Sequence, residues 1–129
     1  MAAYESPQLA FGTLTAAADL SSKQYHFVKL ASATTVNVCS ATTDRAIGIL
    51  QNDPESGEVA EIAIFGISKV VADGTIAFNN VIGTSADSQA DAIVPGTDTS
   101  VTTLGVAIGA ASAGETFTMF LNPTQCRAA

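Results

Sequence analysis

One segment of this chain is written twice. Residues 46–64 read AIGILQNDPESGEVAEIAI and residues 103–121 read TLGVAIGAASAGETFTMFL. At a displacement of 57 residues Gly48 falls on Gly105, Gly57 on Gly114 and Glu58 on Glu115. Apolar positions coincide too: Ile47 with Leu104, Ile49 with Val106, Ile62 with Met119, and Ile64 with Leu121. No gap is needed. A repeat of this kind restricts the fold to one built from two like supersecondary units.

The repeated unit reads as a β-hairpin. Its first arm covers residues 46–50, and later 103–108. Gly48 and Gly105 lie inside these arms, where a strand glycine marks a bulge or a close backbone approach. The connections are Asn-Asp-Pro-Glu-Ser-Gly and Gly-Ala-Ala-Ser-Ala-Gly, both rich in turn formers. Gly57 and Gly114 precede a glutamate and supply a positive φ without Cβ strain. The return arms alternate with period two. Ala60, Ile62 and Ile64 share one face, as do Phe117, Met119 and Leu121, and these are expected inward. Val59, Glu61 and Ala63, or Thr116, Thr118 and Phe120, take the other face.

Each copy has an upstream part. Residues 25–30 and 36–39 precede the first hairpin, and residues 81–84 and 92–94 precede the second. SADSQADA carries polar turn chemistry, Asp73-Gly74 is a turn signal, and Gly66 is expected to break the ladder so that the chain turns a corner or switches sheets. Eight or nine short strands imply an all-β fold, a small barrel or sandwich. The chain reads as a single β domain over residues 23–122. Its two related halves are at about 23–72 and 75–121, and 123–129 form a short tail. Residues 1–22 hold Pro7, Gly12 and the isolated apolar anchors Tyr4, Leu9, Phe11 and Leu14. They read as an extended arm that orders on a neighbour, or as a disordered terminus.

Composition narrows the function. Charged residues make up 13% of the chain, against about 25% in ordinary domains. A surface poor in ions costs little to desolvate, which suits packing against partners. The net charge is −7, and the five basic residues, Lys23, Lys29, Arg45, Lys69 and Arg127, are dispersed. Phosphate binding requires clustered cations, so no nucleic-acid partner is expected. No apolar run is long enough for a membrane span, and the N-terminus lacks the basic and apolar regions of a signal peptide. Cytoplasmic synthesis is the expectation. Cys39 and Cys126 form no metal pattern; they could pair, or remain buried free thiols.

Catalytic chemistry finds little support. His26 is the only histidine and sits in KQYHFVKL, a setting that suits a structural strand residue. Asp53, Glu55 and Glu58 offer oxygen ligands to a calcium ion, but the second copy keeps only Glu115. No phosphate-binding glycine motif is present. No cofactor, metal or enzymatic activity is expected. Glu58 and Glu115 are expected to stabilise their turns or blunt a strand edge, or to meet another subunit.

The segments AIGILQNDPESGEVAEIAIFGISKVVADG and TTLGVAIGAASAGETFTMFL resemble the small capsid cement, or head decoration, proteins of tailed bacteriophages, over residues 21–121. Members of that family often carry an Ala-Gly-Asp turn where this chain has Phe78-Asn79-Asn80-Val81; asparagine tolerates a left-handed turn. The resemblance implies a β-barrel or β-tulip. It implies a homotrimer on the outer surface of the virion capsid, with a terminal arm on the major capsid protein. It implies a structural role, cementing the capsomers of an expanded shell. The alternative is another virion or extracellular β module, such as a tail component or an adhesin.

Overall fold

The period-two alternation becomes sheet in segments along the described chain. The structure, a computed structural model, describes residues 6–10 and 14–124. Among them are ten strands and no helix: β1 (Ser6–Ala10), β2 (Thr15–Ala16), β3 (Phe27–Leu30), β4 (Thr35–Val38), β5 (Ala46–Leu50), β6 (Ile62–Val71), β7 (Val81–Thr84), β8 (Ala90–Ala92), β9 (Gly105–Ala107) and β10 (Thr116–Leu121). The all-β class agrees with the sequence. The ladder runs β2-β4-β3-β5-β6-β10-β9-β7-β8, with β1 beside β6. This path is open, so the sheet is not closed into a barrel. Isolated bridges tie back each half, Thr15 to Val59 in the first and Ala72 to Ala90 in the second.

The halves repeat each other strand for strand. In the first, β3 pairs with β4 and β5, and β5 with β6. In the second, β7 pairs with β8 and β9, and β9 with β10. Register is copied as well. Val28 opposite Gly48 corresponds to Ile82 opposite Gly105, and Ile49 opposite Ala63 to Val106 opposite Phe120. The repeat also reaches further upstream than its constant displacement indicates. Ala16 pairs in parallel with Val36 as Ala72 does with Ala90. The Leu20 amide donates to the Pro54 carbonyl at 2.9 Å as Ile76 does to Ala111 at 2.8 Å.

Residues 14–20 therefore stand to the first half as residues 70–76 stand to the second. The composition of 1–22 suggests an arm, but residues 14–20 are built into the subunit. Ala16 and Leu20 are buried, and Leu14 packs beside them. The physical reason is backbone satisfaction. The return arm of the first hairpin needs partners on its second side, and the Ala60 amide finds the Leu14 carbonyl at 3.0 Å.

Strand β6 belongs to both halves. Ile62 and Ala63 pair with β5, residues 66–71 pair with β10, and β1 lies along residues 62–67. Because β1 takes one edge, β5 and β10 share the other in succession. The changeover falls at Gly66, whose φ is 102°. Gly66 does not end the ladder; the strand runs on through it and exchanges partners.

Two apolar clusters result. Phe27, Ile49 and Ala63 form a row across β3, β5 and β6 on what we term the outer face of the first half. They are buried against Ile82, Leu104, Phe117, Met119 and Leu121 of the second half. The second cluster joins Leu20, Val28, Val36, Leu50 and Ile62 on the inner face of the first half. Ile64 departs from the alternation-based expectation. It follows Ala60 and Ile62 but is exposed, because the second half packs on the opposite face. Its counterpart Leu121 lies between the halves and is buried.

Candidate functional site

The repeated turns carry the same Gly-Glu pair in both copies. Gly57 and Gly114 have φ of 86° and 84°, so each turn uses the left-handed conformation that glycine adopts freely. The next residue closes the turn on itself. A Glu58 Oε1 atom accepts the Glu55 amide at 2.7 Å, and Glu115 Oε1 accepts the Ser112 amide at 2.6 Å. The turn backbone then docks on the upstream segment: Gly57 donates to the Ala16 carbonyl and Gly114 to that of Ala72. These carboxylates are engaged with their own turns. Replacing Glu58 or Glu115 with alanine should each cost about 1 kcal/mol, the usual worth of one such bond, read from the shift in urea midpoint. Gly48 and Gly105 answer a different need. A methyl on either would overlap the backbone carbonyl oxygen of the neighbouring strand, at Ala63 and Phe120 respectively.

The titratable groups do not form an open reactive centre among the described residues. His26 is buried, and its Nδ1 lies 2.7 Å from Ser88 Oγ. Ser88 is itself buried, with φ of 63°, and its hydroxyl also meets the Asp87 carbonyl. A substrate has no path to this hydroxyl; the pair instead ties β3 to the β7–β8 turn. Burial, helped by the charge of Lys23, holds the imidazole below its ordinary value of 6.5. The unfolded chain therefore takes up the proton first on acidification. Stability should be full above pH ~6.5 and fall as pH drops through that value, levelling once the folded imidazole also protonates. Melting temperature against pH checks this, and His26→Gln should flatten the slope in that window. Burial also pushes the Cys39 thiol up to about 12, leaving it neutral and unreactive. No group of three or more potential metal-ligating side chains converges among the described residues.

Partly open apolar surface is the other candidate for contact with partners. On the outer face of the second half, Val81, Val106 and Phe120 form a row across β7, β9 and β10. The Phe120 ring meets Phe65 edge-on, with centroids 5.6 Å apart and planes at 88°. Both rings are partly exposed. Elsewhere a broad groove of about 550 Å³ is lined by Lys29, Leu30, Arg45 and Ile47. Contiguous exposed apolar surface of this kind marks contact sites. Sequence reading missed the outer row, because strand alternation alone says nothing about which face a second half covers. Of the sequence-based contact residues, Leu14 packs against the inner cluster. Leu9 lies in β1 with its backbone opposite Ala63. Tyr4 and Phe11 are outside the described residues.

No family model matches the chain, and no curated protein matches it. Among solved structures, it is similar to the N base of the head fiber protein gp8.5 of bacteriophage phi29. The TM-score is 0.68 at 14% identity, and the match covers 92% of this chain and 98% of that one. At that identity the likeness establishes a shared fold.

Proposed function

We propose that this chain is a structural protein of a tailed-phage head. It sits on the outer surface of the expanded capsid, contacts the major capsid protein and bridges capsomers as a trimer. The observation that supports this best is the likeness to the phi29 head fiber base over nearly the full length of both chains. The resemblance of the repeated hairpins to capsid cement proteins points the same way. The surface chemistry is consistent with it: few charges, exposed apolar rows and a reactive-looking Ser–His pair that is shut from solvent.

The mechanism needs no reaction. Internal pressure pushes the seams between capsomers apart. A subunit spanning a seam adds an interface, about 1,200–2,000 Å² for a standard contact, that must be lost before the seam opens. A trimer gripping three places raises the effective concentration of each grip. Binding to the expanded shell alone stabilises that shell by mass action. Tyr4, Leu9 and Phe11 are the proposed contacts to the capsid; Leu14 serves the subunit itself.

Purified protein mixed with expanded heads, unexpanded heads and isolated tails tests the proposal. Co-sedimentation with expanded heads, and a higher temperature of DNA release from them, is the expected result. Binding to tails instead, or head binding with no change in DNA release, would overturn the cementing role. Tyr4→Ser with Phe11→Ser should reduce head occupancy while leaving the melting temperature nearly unchanged.

A further inference from the structure

We propose that copies of this chain join head to tail, the outer face of the second half of one copy seating on the inner face of the first half of the next. This deepens the trimer of the proposed function by naming the faces through which copies meet, and its support is packing within the chain, without use of the head-surface reading. The occupant is a second copy because the chain already contains this contact once, between its own halves.

Equivalent positions in the two halves differ in how far they are covered. In the first half the outer row Phe27, Ile49 and Ala63 is fully buried, because the second half covers it. Its counterparts in the second half are Val81, Val106 and Phe120, at the same register positions. Among the described residues these stay partly open, with only the Phe65 ring edge-on to Phe120: Val106 is 37% exposed and Phe120 39%. The other side of the internal contact shows the reverse asymmetry. In the second half Val70, Thr84, Leu104 and Leu121 are buried. Their first-half counterparts are Leu14, Leu30, Ile47 and Ile64. Leu30 is 53% and Ile64 40% exposed, and Leu14 and Ile47 are half-buried. Leu30 and Ile47 line the groove beside Lys29 and Arg45.

Each copy thus presents one uncovered face of each kind, and the two kinds already fit each other inside the molecule. Continuing the internal packing from one chain to the next covers both. A contact between two different faces is heterologous, so it closes into a ring or runs on as a filament. A ring of three copies would present six half-units in one continuous series.

Sedimentation equilibrium and light scattering on the full chain test this. Wild type should run as a multiple of its 13.1 kDa chain mass. Val106→Lys removes the outer face and Leu30→Lys the inner one, and each variant alone should fall to the single-chain mass. Mixed together they should form a two-chain complex, since one intact junction remains. Phe120→Ser with Ile64→Ser provides a milder second pair, and far-UV circular dichroism and melting confirm that all four variants fold. A wild type that stays single-chain over a wide concentration range would overturn the proposal. So would variants that keep the wild-type mass, or a mixture that stays single-chain, which indicates a two-fold contact. Head binding is measured separately: single-chain variants that still attach to expanded heads leave the head-surface reading intact and remove only its trimer.

Discussion

Gly105→Ala is expected to be the most damaging small change in this protein. Gly105 has φ of 142°, a region that side chains rarely adopt, and a methyl there overlaps the Phe120 carbonyl oxygen. That oxygen belongs to the adjacent strand β10 and cannot rotate away, so the β9–β10 ladder must separate locally. Conformational strain and overpacking together should cost about 3–5 kcal/mol, out of a total of about 5–15 for an ordinary domain. Two controls separate the causes. Gly114→Ala has a left-handed φ and open space around it, so only the backbone penalty of about 1–2 kcal/mol applies. Gly48→Ala meets the Ala63 carbonyl without a positive φ, so it isolates the overlap. Denaturant midpoints should rank Gly114→Ala mildest and Gly105→Ala worst. Equal costs for Gly105 and Gly114 would mean that the strands separate without penalty.

Phe27→Ala is expected to be the next most damaging change. The ring is fully buried between the halves, among Ile49, Ala63 and the inner face of the second half. Truncating such a side chain loses its transfer energy and leaves a cavity, about 3–5 kcal/mol together. The equivalent change in the second half, Val81→Ala, removes two methyl groups from a half-buried site, about 1 kcal/mol. The contrast between these two variants in chemical denaturation measures how much of the stability comes from packing of the halves on each other. Costs that match would place Phe27 in a loose contact and weaken the account of the core.

The hairpins were legible because the chain spells them without a gap. Gly57, Glu58, Gly114 and Glu115 hold constant spacing, and each spacing corresponds to a hydrogen bond or a left-handed residue in the turn. The remainder of the repeat was hidden by loop length. Residues 14–20 correspond to 70–76 at a displacement of 56, and residues 25–39 to 79–93 at 54. Loops that differ by two and three residues break any constant offset, although the ladders they connect are the same. Residue type concealed another match. Asn79 was recognisable as tolerant of a left-handed turn, and its φ is 67°. Tyr25 has the same φ at the equivalent position, which no tyrosine announces. Its backbone is held there by bonds to Leu50 and Val71, and Lys69 lies 5.8 Å over its ring. The apolar surfaces were the least legible part. Val106 and Ile49 look alike in sequence, and only the stacking order of the halves leaves one exposed and buries the other.

A strand owned jointly by two halves also governs how the molecule comes apart. Neither half holds a complete set of strands once β6 is divided, so an excised half would present raw backbone where its neighbour had been. Loss of structure in one half strips hydrogen bonds from the other at Gly66 and beyond. Under a pulling force, this shared strand is expected to make the subunit fail in a single step, holding its full shape up to the breaking force without gradual softening.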